Sequence, residues 1–253
     1  MWPNFDSSMI NSFKYNHERQ SDVEWNKLKS RYEQLDNSKD NTQTIPKIIH
    51  QIWLGGNMPD AEKSMSAAVK ESLDNAWEYR LWTENDVKSL HNFKNYDLFS
   101  LTPNMGQKSD LLRYAILKEY GGIYLDTDFL PFGSFEELIG FDFFCGIAYD
   151  SVPNIFNGLI GSTKDNAIIN DLQDLDTDLV YNDAMALMNC TGPFFLTRKF
   201  FKNMHKENRA VALPNSFFYP YPNFDICKSQ GNNYKDYIKP ETVCCHMWSS
   251  SWI

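Results

Sequence analysis

The hydrophobic pattern of the chain changes at Ile45. Before it, residues 1–44 are polar and contain no glycine. Within them Ser21-Asp22-Val23-Glu24 has the spacing of a capping box, in which a serine and a glutamate three residues on satisfy each other's backbone amides. It predicts a helix through about Leu35, followed by the loop-like stretch from Asp36 to Thr42. Residues 1–44 are therefore expected to form a helical arm and linker. Packing on the rest of the chain is its default role; dimer contact and peripheral membrane contact are alternatives, and its mixed charges disfavour the membrane.

From Ile45 the run IPKIIHQIWLGG is apolar, β-branched and closed by glycines, which predicts a buried first strand and a turn. A helix follows around 61–75. Glu78-Tyr79-Arg80-Leu81-Trp82 reads as a second strand, and Thr83-Glu84-Asn85-Asp86 as a cap for the helix after it. The clearest helix covers 108–122, with Ser109 as N-cap, apolar residues at 111, 112, 115, 116 and 117, and Gly121-Gly122 as terminator. Ile123-Tyr124-Leu125 then enters a strand. Further strands are predicted at 143–148 and 159–161, helices at 164–171 and 183–188, and turns at Asn157-Gly158 and Thr191-Gly192-Pro193. Alternating β and α, then strands, predicts an α/β sandwich over 45–253.

A chain of 253 residues that is 42% hydrophobic and 15% aromatic can bury the core of one such domain with an appendage. A formal charge of −9 argues against nucleic acid, which needs a basic footprint. No window approaches the run of about 18 apolar residues that crosses a bilayer, so no transmembrane segment is expected. The start, MWPNFDSSMINSF, lacks the layout of a signal peptide, and a cytoplasmic location is expected. Five cysteines without CxxC spacing indicate reduced thiols rather than disulfides or zinc.

The candidate chemistry centres on Asp126-Thr127-Asp128. In an extended strand the two aspartates project to one face and Thr127 to the other. Converging carboxylates repel, and a hard cation such as Mn²⁺ or Mg²⁺ relieves that repulsion and can bridge a diphosphate. Alone, an Asp-x-Asp is also a common solvated turn. Asp110 and Arg113 are i,i+3 neighbours on one helix face, able to offer an acceptor and a donor fork or to form a plain ion pair. Trp53, after the first strand, is placed to stack on a base or to join the core. Tyr124 is placed to touch base or ribose, or to pack. His246 can complete coordination begun by Asp128, and Ser251 can add an oxygen. His50 and His91 lack such company and read as structural.

The run KSDLLRYAILKEYGGIYLDTDF, with IPKIIHQIWLG and YRLW before it, resembles the signature of the DXD-containing sugar transferases. That is the family of the yeast initiating α-1,6-mannosyltransferase, related to the glucosylating domains of large clostridial toxins. The ending from His246 to Trp252 fits the family's His-x-Trp-x-x-Ser-Trp pattern. The resemblance implies a GT-A-type α/β/α sandwich with a Rossmann-like nucleotide-binding core. It implies a donor pocket of Trp53, Ser109, Asp110, Arg113, Tyr124, Asp126, Ser251 and Trp252, and a metal held by Asp128, His246 and Ser251. Asp126 would contact donor sugar or ribose, and Trp252 the glycosidic or β-phosphate oxygen. Asp126, Asp128, Arg113 and Trp252 form the expected catalytic set, and the loops at Asn157 and Gly192 are weak candidates for acceptor contact.

The expected activity is retaining, metal-dependent transfer of a hexosyl group from a UDP- or GDP-hexose to a hydroxyl of a glycan or lipid-linked acceptor, in polysaccharide or oligosaccharide biosynthesis. Rival readings are a nucleotide-sugar hydrolase or phosphodiesterase, a toxin-like protein glycosyltransferase and, last, a carbohydrate-binding module without catalysis.

Overall fold

The structure is a computed structural model that describes residues 2–9, 23–36, 44–150, 152–176, 183–222, 231 and 233–249. Helices α1 (Phe5–Ser8) and α2 (Val23–Asp36) precede the sheet, and Ser21 and Asp22 of the capping box lie outside the described residues. Strand β1 (Ile48–Ile52) is buried along nearly its whole length, as the unbroken apolar run predicts for a strand covered on both faces. Helix α3 (Asp60–Glu71) carries the chain to β2 (Glu78–Trp82), which pairs parallel to β1. The cap expected after β2 works the other way round. The Asp86 carboxylate accepts from the Thr83 amide and hydroxyl at 2.8 and 2.6 Å, and a single 3-10 turn, Val87–Ser89, follows.

Helix α4 (Tyr96–Leu101) leads into α5 (Met105–Tyr120), which starts earlier than the pattern suggests. Asn104 is its N-cap, accepting from the Gln107 amide at 3.0 Å, and Ser109 sits in the second turn instead. Gly121, with φ of 66°, ends the helix as expected. Strand β3 (Gly122–Leu125) then pairs parallel to β1 on the side away from β2.

Two further strands, β4 (Phe129–Pro131) and β5 (Phe143–Asp150), precede β6 (Val152–Ser162). Strand β6 is far longer than the three residues predicted, and Asn157-Gly158 lies inside it rather than in a turn. It runs antiparallel between β3 and β5, so its residues are held by ladders on both sides, and those pairings override the turn propensity of its asparagines and glycines. Helices α6 (Ala167–Leu172), α7 (Ala184–Cys190) and α8 (Pro193–Asn203), strand β7 (Ala210–Leu213), helix α9 (Asn215–Phe218) and strand β8 (Cys244–His246) complete the described elements.

The main sheet has the order β2-β1-β3-β6-β5-β7, with β6 alone reversed, and β4 pairs with β8 in a separate two-stranded ribbon. Helix α2 lies against β7: Leu28, Tyr32 and Leu35 are buried, and Arg31 donates to the backbone carbonyls of Glu207, Asn208 and Ala210. Cys145, Cys190, Cys244 and Cys245 are free thiols, as the spacing predicted, and Cys227 is outside the described residues. Among the described residues no helix is long and apolar enough to cross a membrane.

Candidate functional site

The two aspartates are brought together by a turn rather than by strand alternation. Strand β3 stops at Leu125 and β4 starts at Phe129, so Asp126-Thr127-Asp128 is the connection between them. Backbone bonds fix that connection: the Asp126 amide donates to Gly158 O at 2.8 Å, and Gln51 Nε2 donates to Asp126 O at 3.0 Å. The ribbon then delivers the third group. Phe129 of β4 is the register partner of His246 in β8, and beyond β8 the Met247 amide donates to Asp128 O at 2.9 Å.

Each carboxylate spends one oxygen on the protein and turns the other toward the imidazole. Asp126 Oδ1 accepts from the Tyr124 hydroxyl at 2.6 Å, while Asp128 Oδ2 accepts from the Ser249 amide at 2.8 Å. His246 Nε2 lies 3.1 Å from Asp128 Oδ1 and 3.7 Å from Asp126 Oδ2. The three side chains offer one ligand atom each, all within 4.8 Å of one another. An octahedral cation with bonds of about 2.1 Å spaces adjacent ligands about 3 Å apart, so two hard carboxylates and an imidazole at these separations fit a divalent ion.

The electrostatics agree. Burial works against a charged His246, yet Asp128 and Asp126 outweigh it and push its pKa up to about 9. Burial likewise disfavours the Asp128 carboxylate, and the His246 ring and the Ser249 amide still hold it below its ordinary range. The pocket floor thus favours positive charge, whether a proton or a metal ion carries it.

Helix α5 supplies the adjoining wall. Asp110 and Arg113 are both buried, so this i,i+3 pair is no surface ion pair. Arg113 Nη1 donates to Asn157 O at 2.6 Å and Nη2 to Ser109 Oγ at 2.9 Å, while Nη2 lies 3.3 Å from both Asp110 Oδ1 and Asp126 Oδ1. Its guanidinium sits 4.5 Å over the Tyr124 ring. Burial opposes the Arg113 charge, but Asp126, Tyr124 and Asp110 raise its pKa above the ordinary value. Asp110 accepts from Asn157 Nδ2 at 2.7 Å and from Thr191 Oγ1 at 2.9 Å; burial pushes its pKa up, with Arg113 opposing.

These groups line a pocket of about 540 Å³. Trp53 is half-buried at its edge, its indole donating to Gly56 O at 2.9 Å. Ser109, Asp110, Arg113, Tyr124, Asp126, Asp128, Asn157, Gly192 and His246 all border the pocket. The Asn157 side-chain amide donates to Asp110, and Gly192 forms the N-cap of α8. Ser251 and Trp252 are outside the described residues. Away from the pocket, His50 is buried against Gly121 and Trp82, and His91 is exposed beside Glu119.

Four contributors have roles the sequence did not assign, although Gly158 and Thr191 lie in the predicted turns and Trp248 and Ser249 in the His-x-Trp-x-x-Ser-Trp stretch. Thr191 and Ser249 act by a hydroxyl on Asp110 and by a backbone amide on Asp128, neither of which leaves a motif. At Gly158 an added Cβ would lie 2.8 Å from Asp126 Oδ2, so the acid approaches because no side chain is there. Trp248 has φ of 56°, borders the pocket and donates its indole N–H to Tyr221 O at 2.8 Å.

Residues 3–144 match the family described as glycosyltransferase sugar-binding region containing DXD motif. The chain belongs to this family. Within 3–144 the single Asp-x-Asp is Asp126-Thr127-Asp128; the overlapping Asp174-Leu175-Asp176 and Asp176-Thr177-Asp178 fall outside the match. Inositol phosphoceramide mannosyltransferase 1 of Schizosaccharomyces pombe is 36% identical over 92 residues, which is 34% of this chain and 28% of that one. An uncharacterized glycosyltransferase of Acanthamoeba polyphaga mimivirus is 31% identical over 162 residues, 58% of this chain and 61% of the relative. Toxin B of Clostridioides difficile is 33% identical over 100 residues, 37% of this chain and 4% of the toxin. The chain thus spans less than two thirds of each of these relatives. Among solved structures, the PaToxG glycosyltransferase superposes with a TM-score of 0.51 at 18% identity, covering 72% of this chain and 80% of that one, a likeness of fold. The architecture is GT-A-type.

Proposed function

We propose that this DXD-family chain transfers a hexosyl group from a UDP- or GDP-linked donor to a hydroxyl of a glycan or lipid-linked acceptor, with retention of configuration. One observation carries the reading: Asp126, Asp128 and His246 converge on a single point at the floor of a pocket large enough for a donor. In this reading Asp128 and His246, with Ser251, hold Mn²⁺ or Mg²⁺, and Asp126 holds donor sugar or ribose. A cation there would supply Lewis-acid stabilisation of the departing diphosphate. Arg113, 3.3 Å from Asp126 Oδ1, orients that carboxylate, and Trp53 offers an aromatic face to the base.

Retention is supported by what borders the pocket. Among the described residues its carboxylates are Asp110, Asp126 and Asp128. Asp110 is committed to Thr191 and Asn157, and the other two face His246, which leaves no free base opposite the donor. Residues 45–253 act as the catalytic domain in this reading, with 1–44 as its arm.

Incubation with radiolabelled UDP- and GDP-hexoses and Mn²⁺ tests the proposal. Label should move to an added glycan or glycolipid, chelator should abolish the transfer, and Asp128→Asn should lower it by about 10²-fold or more. Label released to water at the full rate identifies a hydrolase instead, and no turnover with any donor removes the catalytic reading.

A further inference from the structure

Tyr219 is 2% exposed and follows α9 directly. Its ring is held on several sides: by Phe129 at 5.7 Å, Phe156 at 5.9 Å, His246 at 5.7 Å and Trp248 at 5.8 Å between centroids. Gly146 makes the remaining room, since a Cβ there would fall 2.5 Å from Tyr219 Cε2. A ring gripped in this way holds its hydroxyl in one place. Yet among the described residues no group hydrogen-bonds that hydroxyl.

The hydroxyl points to the same spot as Asp126 Oδ2, the oxygen turned toward His246. A Cβ built on Gly158 would lie 3.2 Å from Tyr219 Oη and 2.8 Å from Asp126 Oδ2. Gly158 borders the pocket, so the missing side chain leaves a seat between a buried donor and a carboxylate oxygen. A phenol hydroxyl is a hydrogen-bond donor as well as an acceptor, so it can donate to an oxygen placed there. An unpartnered buried hydroxyl costs about 1–3 kcal/mol, a cost recovered when a ligand atom accepts from it.

We propose that Tyr219 is a ligand-positioning residue of the donor site: its hydroxyl donates a hydrogen bond to an oxygen seated over Gly158 beside Asp126 Oδ2. That oxygen belongs to the coordination shell of the cation, as a bound water or as a diphosphate oxygen. The inference rests on the reading of Asp128 and His246 as metal ligands with Asp126 on the donor beside them, and it adds a hydrogen-bond donor that no motif marks.

Titration of the full chain with Mn²⁺ alone, and with UDP and GDP in the presence of Mn²⁺, tests it beside the melting temperature of the ligand-free protein. Tyr219→Phe is expected to melt at the same temperature as the wild type or above it, because it removes a buried hydroxyl without a protein partner. Its affinity should fall about tenfold or more, the loss expected for a hydrogen bond to a charged ligand. Weakening with Mn²⁺ alone identifies the oxygen as a bound water, and weakening only with a nucleoside diphosphate identifies it as a phosphate oxygen. Gly158→Ala, whose methyl group would occupy the seat, should lose the same response. Wild-type affinities in Tyr219→Phe overturn the assignment of Tyr219 and leave the metal site standing. No binding by the wild type removes both.

Discussion

His50 is committed at both ring nitrogens. Nε2 faces Gly121 O at 2.9 Å and must donate, while Nδ1 accepts from the Trp82 indole at 3.1 Å, so the folded protein holds the neutral ring. Burial is the main cause that lowers its pKa from 6.5 to about 4. Below pH 6.5 the unfolded chain takes up a proton that the folded chain refuses until about pH 4, so stability falls as pH drops through that window. The loss is on the order of 3 kcal/mol. Urea unfolding at pH 7 and pH 4 should therefore show His50→Gln losing less stability than the wild type by about that amount; parallel losses would sink the idea. The sequence marked His50 as structural because nothing beside it suggested a ligand. It marked Asp110, Arg113, Asp126 and His246 because their chemistry sits in a recognisable order along the chain. Tyr219 and Ser249 carried no such mark: one acts through the grip on its ring, the other through a backbone amide.

At the scale of elements, helix α2 shows how burial is decided by partners far along the chain. Tyr32 packs its ring 5.0 Å from Trp2, 5.5 Å from Phe5 and 6.4 Å from Phe217, and its hydroxyl donates to Pro3 O at 2.8 Å. Tyr32→Ala should cost about 3–5 kcal/mol in urea unfolding, as for other buried aromatics, while Mn²⁺ affinity stays at the wild-type value because Trp2, Pro3, Phe5 and Phe217 do not border the pocket. A cost under about 1 kcal/mol would show that the arm is not held by this ring. Helix α2 was legible from the capping-box spacing at its start, and β1 and β3 in their apolar runs. Strand β6 was not, because Asn154, Asn157, Gly158 and Gly161 give a turn-like composition to a strand stabilised by ladders on both sides. The start of α5 was missed for a local reason: Asn104 caps it, and Ser109 offered the same chemistry one turn later.

For the whole molecule, the α/β class could be read from the order of elements, but the reversal of β6 inside an otherwise parallel sheet could not. That reversal has a consequence for the site. It places Asn157 and Gly158 beside the end of β3, where the former meets Asp110 and Arg113 and the latter makes room for Asp126. The site therefore draws on β1 through Gln51, on α5 through Arg113, on the β3–β4 turn, on β6 and on β8, five regions spread over most of the sequence. An unfolded chain cannot gather them, so a cation that binds there binds the folded state alone and stabilises the entire domain by mass action. At Mn²⁺ concentrations 100 times the dissociation constant the gain is about 2.7 kcal/mol. For a chain of this length that raises the melting temperature by about 5–10 °C. Asp128→Asn and His246→Ala should each abolish most of the rise, Asp128→Asn because the neutral amide is a poorer ligand and His246→Ala because a ligand is missing. If both variants respond to Mn²⁺ as the wild type does, the cation binds elsewhere and the convergence of the three side chains has another purpose.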